Sequence, residues 1–260
     1  MKCMNNFKNP FSLENKKILV TGASSGIGQA TAIWISRMGG QVALLARSKE
    51  KLEKTLSLLE GSNHRIISLD LLSQENEIEK TIDSLVQEWG PLNGMVYSAG
   101  LTITQPLNRL RAEKDYNDIF NVNYRGFLFL SRICCKKKNH TNNTSIVAIS
   151  SITALKGKKG LTLYASSKAA LASSVRCLAL EYAAIGIRFN CICPGWVNTP
   201  MLENTREMLG KELFKQNMIA PHPLGLGTPD DIAYATIYLL SDASRWVTGS
   251  SLIIDGGYSC

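Results

Sequence analysis

Tyr164 and Lys168 stand four residues apart in Leu-Tyr-Ala-Ser-Ser-Lys-Ala-Ala-Leu, a stretch with no other large polar side chain. On a helix, positions i and i+4 share one face about 6 Å apart. A phenol ordinarily loses its proton near pH ~10, and a neighbouring ammonium lowers that value. A phenol tuned in this way gives and takes protons close to neutrality. The same spacing also describes a solvated surface pair, and the two residues alone leave both readings open. A second stretch, Thr21-Gly22-Ala23-Ser24-Ser25-Gly26-Ile27-Gly28, follows the apolar run Ile18–Val20. Glycines at a strand-to-helix turn let the backbone approach a pyrophosphate, whose charge sits against the free N–H groups of the helix. In that context the turn reads as a nucleotide site, with Gly22, Ser24, Ser25, Gly26, Ile27 and Gly28 as its contacts.

The end of the next apolar run says which nucleotide. A site for NAD usually places Asp or Glu about 20 residues beyond the glycines, to hold the ribose 2′-hydroxyl. Here that end reads Ala46-Arg47-Ser48. Nothing there repels a 2′-phosphate, Arg47 can pair with one, and Ser24 or Ser48 can hydrogen-bond it. NADP(H) is therefore favoured over NAD(H), although Arg47 also reads as an exposed residue opening a helix. Asp70, followed by Leu71, ends a third run and is placed either to meet the adenine or to cap the next segment.

These groups need elements to hold them, and the chain alternates short apolar runs with helical patterns. Strands are expected at 16–22, 41–46, 65–70, 94–100, 145–150, 187–195 and 250–255. Helices are expected at 27–38, 49–60, 75–89, 113–135, from the Tyr164 region to a cap at Gly186, and at 229–240. Ile78, Ile82, Leu85 and Trp89 recur at helical spacing. Almost wholly apolar strands imply burial on both faces. The fold class expected is α/β: one doubly wound Rossmann-type domain over 14–260, with a seven-stranded, mostly parallel sheet covered by helices on both faces. An N-terminal extension, 1–13, precedes it, and ligands are expected at the carboxyl ends of the strands.

Composition excludes several alternatives. The chain has 260 residues, of which 45% are hydrophobic and 19% charged, enough for a sizeable core. Its N-terminus lacks an apolar signal region, and no apolar run approaches the roughly 18 residues that span a bilayer. A cytoplasmic protein with no membrane partner is expected. The seven cysteines are odd in number and lack zinc-type spacing, and His64, His140 and His222 lie far apart, so no metal site is expected and the thiols read as free. The net charge of +8 is dispersed apart from Lys136–Lys138 and the run from Lys156 to Lys159. Without interleaved aromatics these runs do not make a nucleic-acid surface; they read as solvated faces or as attraction for an anionic cofactor or substrate.

In order along the chain, TGASSGIG, Ala99-Gly100, Asn123, Ser151, YASSK, CPGWVNTP and the terminal IIDGG resemble the short-chain dehydrogenase/reductase family over about residues 14–258. The glycine turn together with a serine thirteen residues before Tyr164 is specific as a set. The resemblance implies a catalytic group of Asn123, Ser151, Tyr164 and Lys168. In it Tyr164 is the acid in ketone reduction or the base in alcohol oxidation. Lys168 depresses the phenol and holds the nicotinamide ribose. Ser151 hydrogen-bonds the reacting oxygen, and Asn123 holds a water that links Lys168 to solvent. Ala165, Ser166 and Ser167 leave room for the cofactor and for close helix packing, and Thr199 contacts the cofactor, with Pro194, Gly195 and Val197 shaping its loop. One departure is plain. The family's Asn-Asn-Ala-Gly is Tyr97-Ser98-Ala99-Gly100 here, which loses an amide that braces the central strands.

The same resemblance makes about 196–226, with Met201, Leu202, Met208, Leu209, Leu213, Phe214, Met218 and Ile219, a substrate lid; the residues read equally as amphipathic turns packed on the core. It implies a small-molecule carbonyl or alcohol substrate and a homodimer or homotetramer. β-Ketoacyl carrier-protein reductases are also similar in motif order. They carry a basic residue before the Gly-Ile of the sixth strand to dock an acyl carrier protein; that residue is Ile185 here, with Lys136–Lys138 as the only substitute. A non-catalytic nucleotide-binding sensor is the remaining alternative, and the presence of both Tyr164 and Lys168 argues against it.

Overall fold

Successive side chains of a strand point to opposite faces, and along Lys17–Thr21 (β1) both faces are buried. Leu19 enters one core while Ile18 and Val20 enter the other. The same division holds across the sheet, so helices must cover both sides. The computed structural model describes residues 9–260, and at residues 112, 204 and 208 the backbone alone. Most of the expected N-terminal extension, with Cys3, lies outside the described residues, as does the Met208 side chain.

The strands are β1, Gln41–Ala46 (β2), Arg65–Ser68 (β3), Leu92–Tyr97 (β4), His140–Ile149 (β5), Arg188–Pro194 (β6) and Ser251–Ile254 (β7). They form one sheet in the order β3-β2-β1-β4-β5-β6-β7. Every pairing is parallel, where the sequence had indicated mostly parallel. The order reverses between β1 and β4, and a crevice opens at that point beyond the strands' carboxyl ends. Helices Gly26–Arg37 (α1), Lys49–Leu56 (α2) and, later in the chain, Pro229–Leu240 bury their apolar stripes on one face. Helices Glu75–Trp89 (α3) and, further on, Gly126–Cys134 and Thr162–Tyr182 cover the other. Among the described residues, no helix is long and apolar enough to cross a membrane. The described cysteines are free thiols, and Cys134, Cys135, Cys191 and Cys193 are buried.

The expected helix 113–135 is interrupted. It runs as Ala112–Phe120 (α4), a π-helical segment Asn121–Arg125, and then Gly126–Cys134 (α5). The sequence lacks the family's bracing amide at Ser98, and the widened turn supplies a different brace through Tyr97. The Tyr97 hydroxyl donates to the Val122 carbonyl inside the π segment, and its ring meets Phe127 edge-on with centroids 5.6 Å apart. Only glycine fits beneath it, because a Cβ at Gly126 would collide with that hydroxyl. On the other side of β4, Thr21 Oγ1 accepts from the N–H groups of Ser98 and Ala99, both at 3.1 Å. The central strands are thus tied by a phenol and a threonine in place of an amide.

The long helix Thr162–Tyr182 (α6) hands over to a 3-10 turn, and Gly186 closes it in the left-handed conformation at φ 77°, as its capping position predicted. Between β6 and the last helix lie Pro200–Leu209 (α7), Lys211–Phe214 (α8) and a second π segment, Lys215–Ile219. The final helix, Pro229–Leu240 (α9), begins with a capping box between Thr228 and Asp231. Removing the Tyr97 hydroxyl leaves the partly buried Val122 carbonyl without that donor. Tyr97→Phe is therefore expected to lower unfolding stability by about 1–3 kcal/mol, read from urea denaturation midpoints; an unchanged midpoint would refute this bracing role.

Candidate active site

A cavity of about 480 Å³ occupies the crevice. Nearly every expected site residue lines it. Gly22, Ser24, Ser25, Gly26 and Ile27 come from the turn after β1, Arg47 and Ser48 from the end of β2, and Asp70 and Leu71 from the end of β3. Ala99 and Gly100 follow β4, Ser151 follows β5, Tyr164 and Lys168 project from α6, and Pro194, Gly195, Val197 and Thr199 follow β6. Two expected residues stand behind this wall. Gly28 presses the start of α1 against the glycine turn, where a Cβ would collide with the Gly22 carbonyl. Asn123 is fully buried in the π segment: its Nδ2 donates to Leu101 O at 2.9 Å and Ser167 Oγ at 3.0 Å, and its Oδ1 accepts from Leu101 N at 2.7 Å.

The chemistry-bearing side chains meet where β5 ends against α6. Ser151 Oγ accepts from Thr153 N at 3.1 Å and Thr153 Oγ1 at 2.9 Å. With both lone pairs taken, the serine proton is left to donate. Tyr164 is its neighbour: burial raises the phenol above its ordinary value, and the hydrogen bond from Ser151 pulls it back. The sequence had given that second task to Lys168. Its ammonium instead lies 5.8 Å from the Tyr164 ring centroid and donates to Ile149 O at 2.8 Å. Lys168 is only 4% exposed, and burial lowers its pKa to about 8. The phenol and the ammonium are both desolvated, and each is easier to hold neutral than in water.

Of the small residues beside the pair, only Ser167 is buried. Ala165, Ser166 and Ser167 do not line the cavity; Ser167 Oγ takes the Asn123 amide and donates to Tyr164 O at 2.7 Å. Ser150 Oγ, in turn, holds the Lys168 carbonyl at 2.9 Å.

At the far end, Ser48 caps α2, its side chain accepting from Lys51 N at 3.3 Å. Asp70 Oδ1 caps its own turn through Leu72 N at 2.9 Å, so its capping reading holds while it also faces the cavity. Arg47 Nη1 lies 4.0 Å from Asp70 Oδ2, with both side chains largely exposed. Such a loose pair holds the guanidinium weakly. The start of α1 has no side-chain cap, which leaves its first N–H groups for a ligand. A glycine cradle, an uncapped helix and a basic end fit a dinucleotide phosphate backbone.

Sequence reasoning missed several lining residues. Lys51 lies one helical turn past Ser48, a spacing that could have found it. Thr153 also lines the cavity from a short turn, where no period marks it; Lys158 and Lys159 come from the basic run read as a solvated face or as attraction for an anion, and Trp196 and Thr205 from the expected lid. Of the expected lid residues, Met201, Leu202 and Met218 reach the cavity. Leu202, Phe214 and Met218 form a small core of their own with Trp196 and Leu209 against it, while Leu213 and Ile219 face solvent.

Residues 22–259 match a family model described as enoyl-(acyl carrier protein) reductase. The chain is 33% identical over 247 residues to the 3-oxoacyl-[acyl-carrier-protein] reductase FabG of Thermotoga maritima, covering 94% of this chain and 98% of the relative. It is 34% identical over 249 residues to glucose 1-dehydrogenase of Gluconobacter oxydans, covering 93% and 91%. Among solved structures, a provisionally named 2-deoxy-D-gluconate 3-dehydrogenase from Agrobacterium tumefaciens, determined with bound NADP, superposes with a TM-score of 0.83 at 30% identity, covering 96% of this chain and 99% of that one. With the glycine turn, the serine and the tyrosine–lysine pair gathered in one crevice, the chain belongs to the short-chain dehydrogenase/reductase family and is an oxidoreductase enzyme.

Proposed function

We propose that the enzyme moves a hydride between NADP(H) and the carbonyl of a small molecule, or the corresponding secondary alcohol, with Tyr164 as the proton donor or acceptor. The observation that carries this reading is the meeting of the Ser151 and Tyr164 hydroxyls beside the buried Lys168, at one end of a cavity whose other end presents Arg47 and Lys51. When bound, the dinucleotide supplies the hydride. Ser151, its lone pairs filled by Thr153, donates to the carbonyl oxygen and polarises the bond. As that oxygen gains charge it takes the Tyr164 proton, which ends on the product alcohol. Lys168 holds a cation under the phenol, and Asn123 fixes the Leu101 loop that closes this side of the site. Its Oδ1 keeps one lone pair for the water of the proposed relay.

Arg47 and Lys51 support the NADP(H) preference, because both cations face the cavity where a 2′-phosphate would sit. Relatives include a carrier-protein reductase and a sugar dehydrogenase, and the surface charges favour a free substrate. Lys136 pairs with Glu79, and Lys138 with Asp83 at 2.8 Å, so these lysines are already neutralised. Ile185 stands half exposed where a basic docking residue would be needed.

Tyr164→Phe is expected to bind NADPH, as read by fluorescence, yet lose about 10²- to 10⁴-fold in turnover; a variant as active as the parent removes the assigned acid. Arg47→Ala with Lys51→Ala is expected to raise the KM for NADPH by about tenfold or more while sparing NADH, since each lost charged hydrogen bond is worth roughly 1.5–3 kcal/mol. Equal use of both cofactors by the parent enzyme counts against the preference. A pH profile tests Lys168. With its pKa near 8 in the free enzyme, the ammonium is charged below that value and lost above it. In the reductive direction kcat/KM for NADPH should hold level up to about 8 and fall beyond it, and Lys168→Met should abolish the break. A parent profile flat to well above that value contradicts the assignment.

A further inference from the structure

The run from Lys156 to Lys159 places three ammonium groups in three different surroundings. Lys156 is structural: its Nζ donates to Tyr258 O at 2.8 Å and lies 4.6 Å from the Tyr258 ring centroid, tying the loop to the C-terminal turn. Lys158 and Lys159 line the cavity instead. Lys158 is partly buried and reaches across to the lid, donating to Asn217 O at 3.1 Å in the second π segment. The loop beneath is fixed, with Gln105 N donating to Gly160 O at 2.9 Å.

Neither lysine takes part in an ion pair among the described residues. Burial lowers the pKa of Lys158, the response of a cation short of counter-charge. Among the described residues, the only acidic one lining the cavity is Asp70, at the β3 end beside Arg47. The cavity wall also includes the apolar Leu161, Trp196, Met201 and Met218 and the threonines Thr102, Thr104 and Thr205. Two cations without a paired acid, in a cavity that also holds the catalytic hydroxyls, are groups that a neutral ketone does not use.

We infer that the substrate carries an oxyanion, a carboxylate or a phosphate, held by Lys158 and Lys159 while its carbonyl meets Ser151 and Tyr164. The inference rests on the reductase reading above and adds a substrate class to it. Charge-assisted hydrogen bonds from two ammonium groups anchor the remote end and so orient the carbonyl.

The test compares charged and neutral partners on the NADPH-loaded enzyme: levulinate with methyl levulinate, and acetoacetyl coenzyme A with the neutral acetoacetyl-N-acetylcysteamine thioester. The anionic member of at least one pair is expected to be favoured by about tenfold or more in kcat/KM, and Lys158→Gln with Lys159→Gln should bring that ratio close to one. A preference within the levulinate pair identifies a carboxylate, and one within the thioester pair a phosphate. Equal use of charged and neutral members, or a ratio untouched by the double substitution, overturns the inference while leaving the reductase reading standing. If no compound is reduced, calorimetric titration of the NADP-loaded protein with levulinate and with coenzyme A decides. Binding that the double substitution abolishes keeps the anion site and removes the reductase reading; no lysine-dependent binding removes the anion site as well.

Discussion

A cation held almost without water is the constraint around which this fold is arranged. Lys168 must present an ammonium to the crevice from a helix packed on the sheet, and at 4% exposure it loses most of its hydration there. The structure compensates with fixed dipoles. Ile149 O accepts the proton-bearing end, and Ser150 Oγ secures the lysine's own carbonyl. Both partners lie where β5 ends, so the register that aligns β5 with β4 and β6 also sets the distance from ammonium to phenol. The compensation is partial, as the pKa near 8 records. A more completely satisfied lysine would hold its charge more firmly and respond less to what enters the crevice.

The same economy explains why Tyr164 is not primed by Lys168 alone. Two desolvated groups side by side each resist becoming charged, and a cation held by a carbonyl screens its own field. Ser151 is the group that lowers the phenol, and it can do so because Thr153 fills both of its lone pairs. In the structure Thr153 holds the Ser151 oxygen, Ser151 lowers the Tyr164 phenol, and Ile149 O holds the Lys168 ammonium.

How much of this was legible follows from which signals have a period. Strands buried on both faces read as apolar runs, and β2, α3 and α9 fall where the sequence placed them because Gln41–Ala46 is bounded by charge and glycine and the helices carry clear stripes or caps. The glycine turn, Arg47, Ser151 and the tyrosine–lysine pair were legible because the chemistry fixes their spacing. The π segment at Asn121–Arg125 was not, since an i to i+5 turn leaves no periodic trace; nor was the Tyr97 contact, which exists only because that segment turns Val122 O toward β4. Thr153 stayed hidden because its role depends on the turn it makes with Ser151, and Lys158 was legible only as part of a basic run, not as a group that meets the lid. The lid was legible as apolar but not as to purpose: Leu202 and Met218 belong to its own small core and to the cavity wall at once, so hydrophobicity alone cannot separate packing from recognition.

Charge shows why the crevice, rather than the whole surface, is the basic feature that matters. Outside the crevice many cations stand beside acids: Lys16 with Asp242 at 2.7 Å, Lys54 with Glu50 at 2.9 Å, and Arg132, Lys136 and Lys138 with the acids of α3. Exposed pairs of this kind contribute little to stability, and each offsets only its own cation, leaving the net +8 unchanged. Inside, Arg47, Lys51, Lys158, Lys159 and Lys168 face a cavity with Asp70 as its one acid among the described residues. Low-dielectric walls concentrate that imbalance, raising the local concentration of anions at both ends of the cleft. Paired cations outside and almost unopposed cations inside make the crevice a locally positive feature of a chain whose net charge is +8.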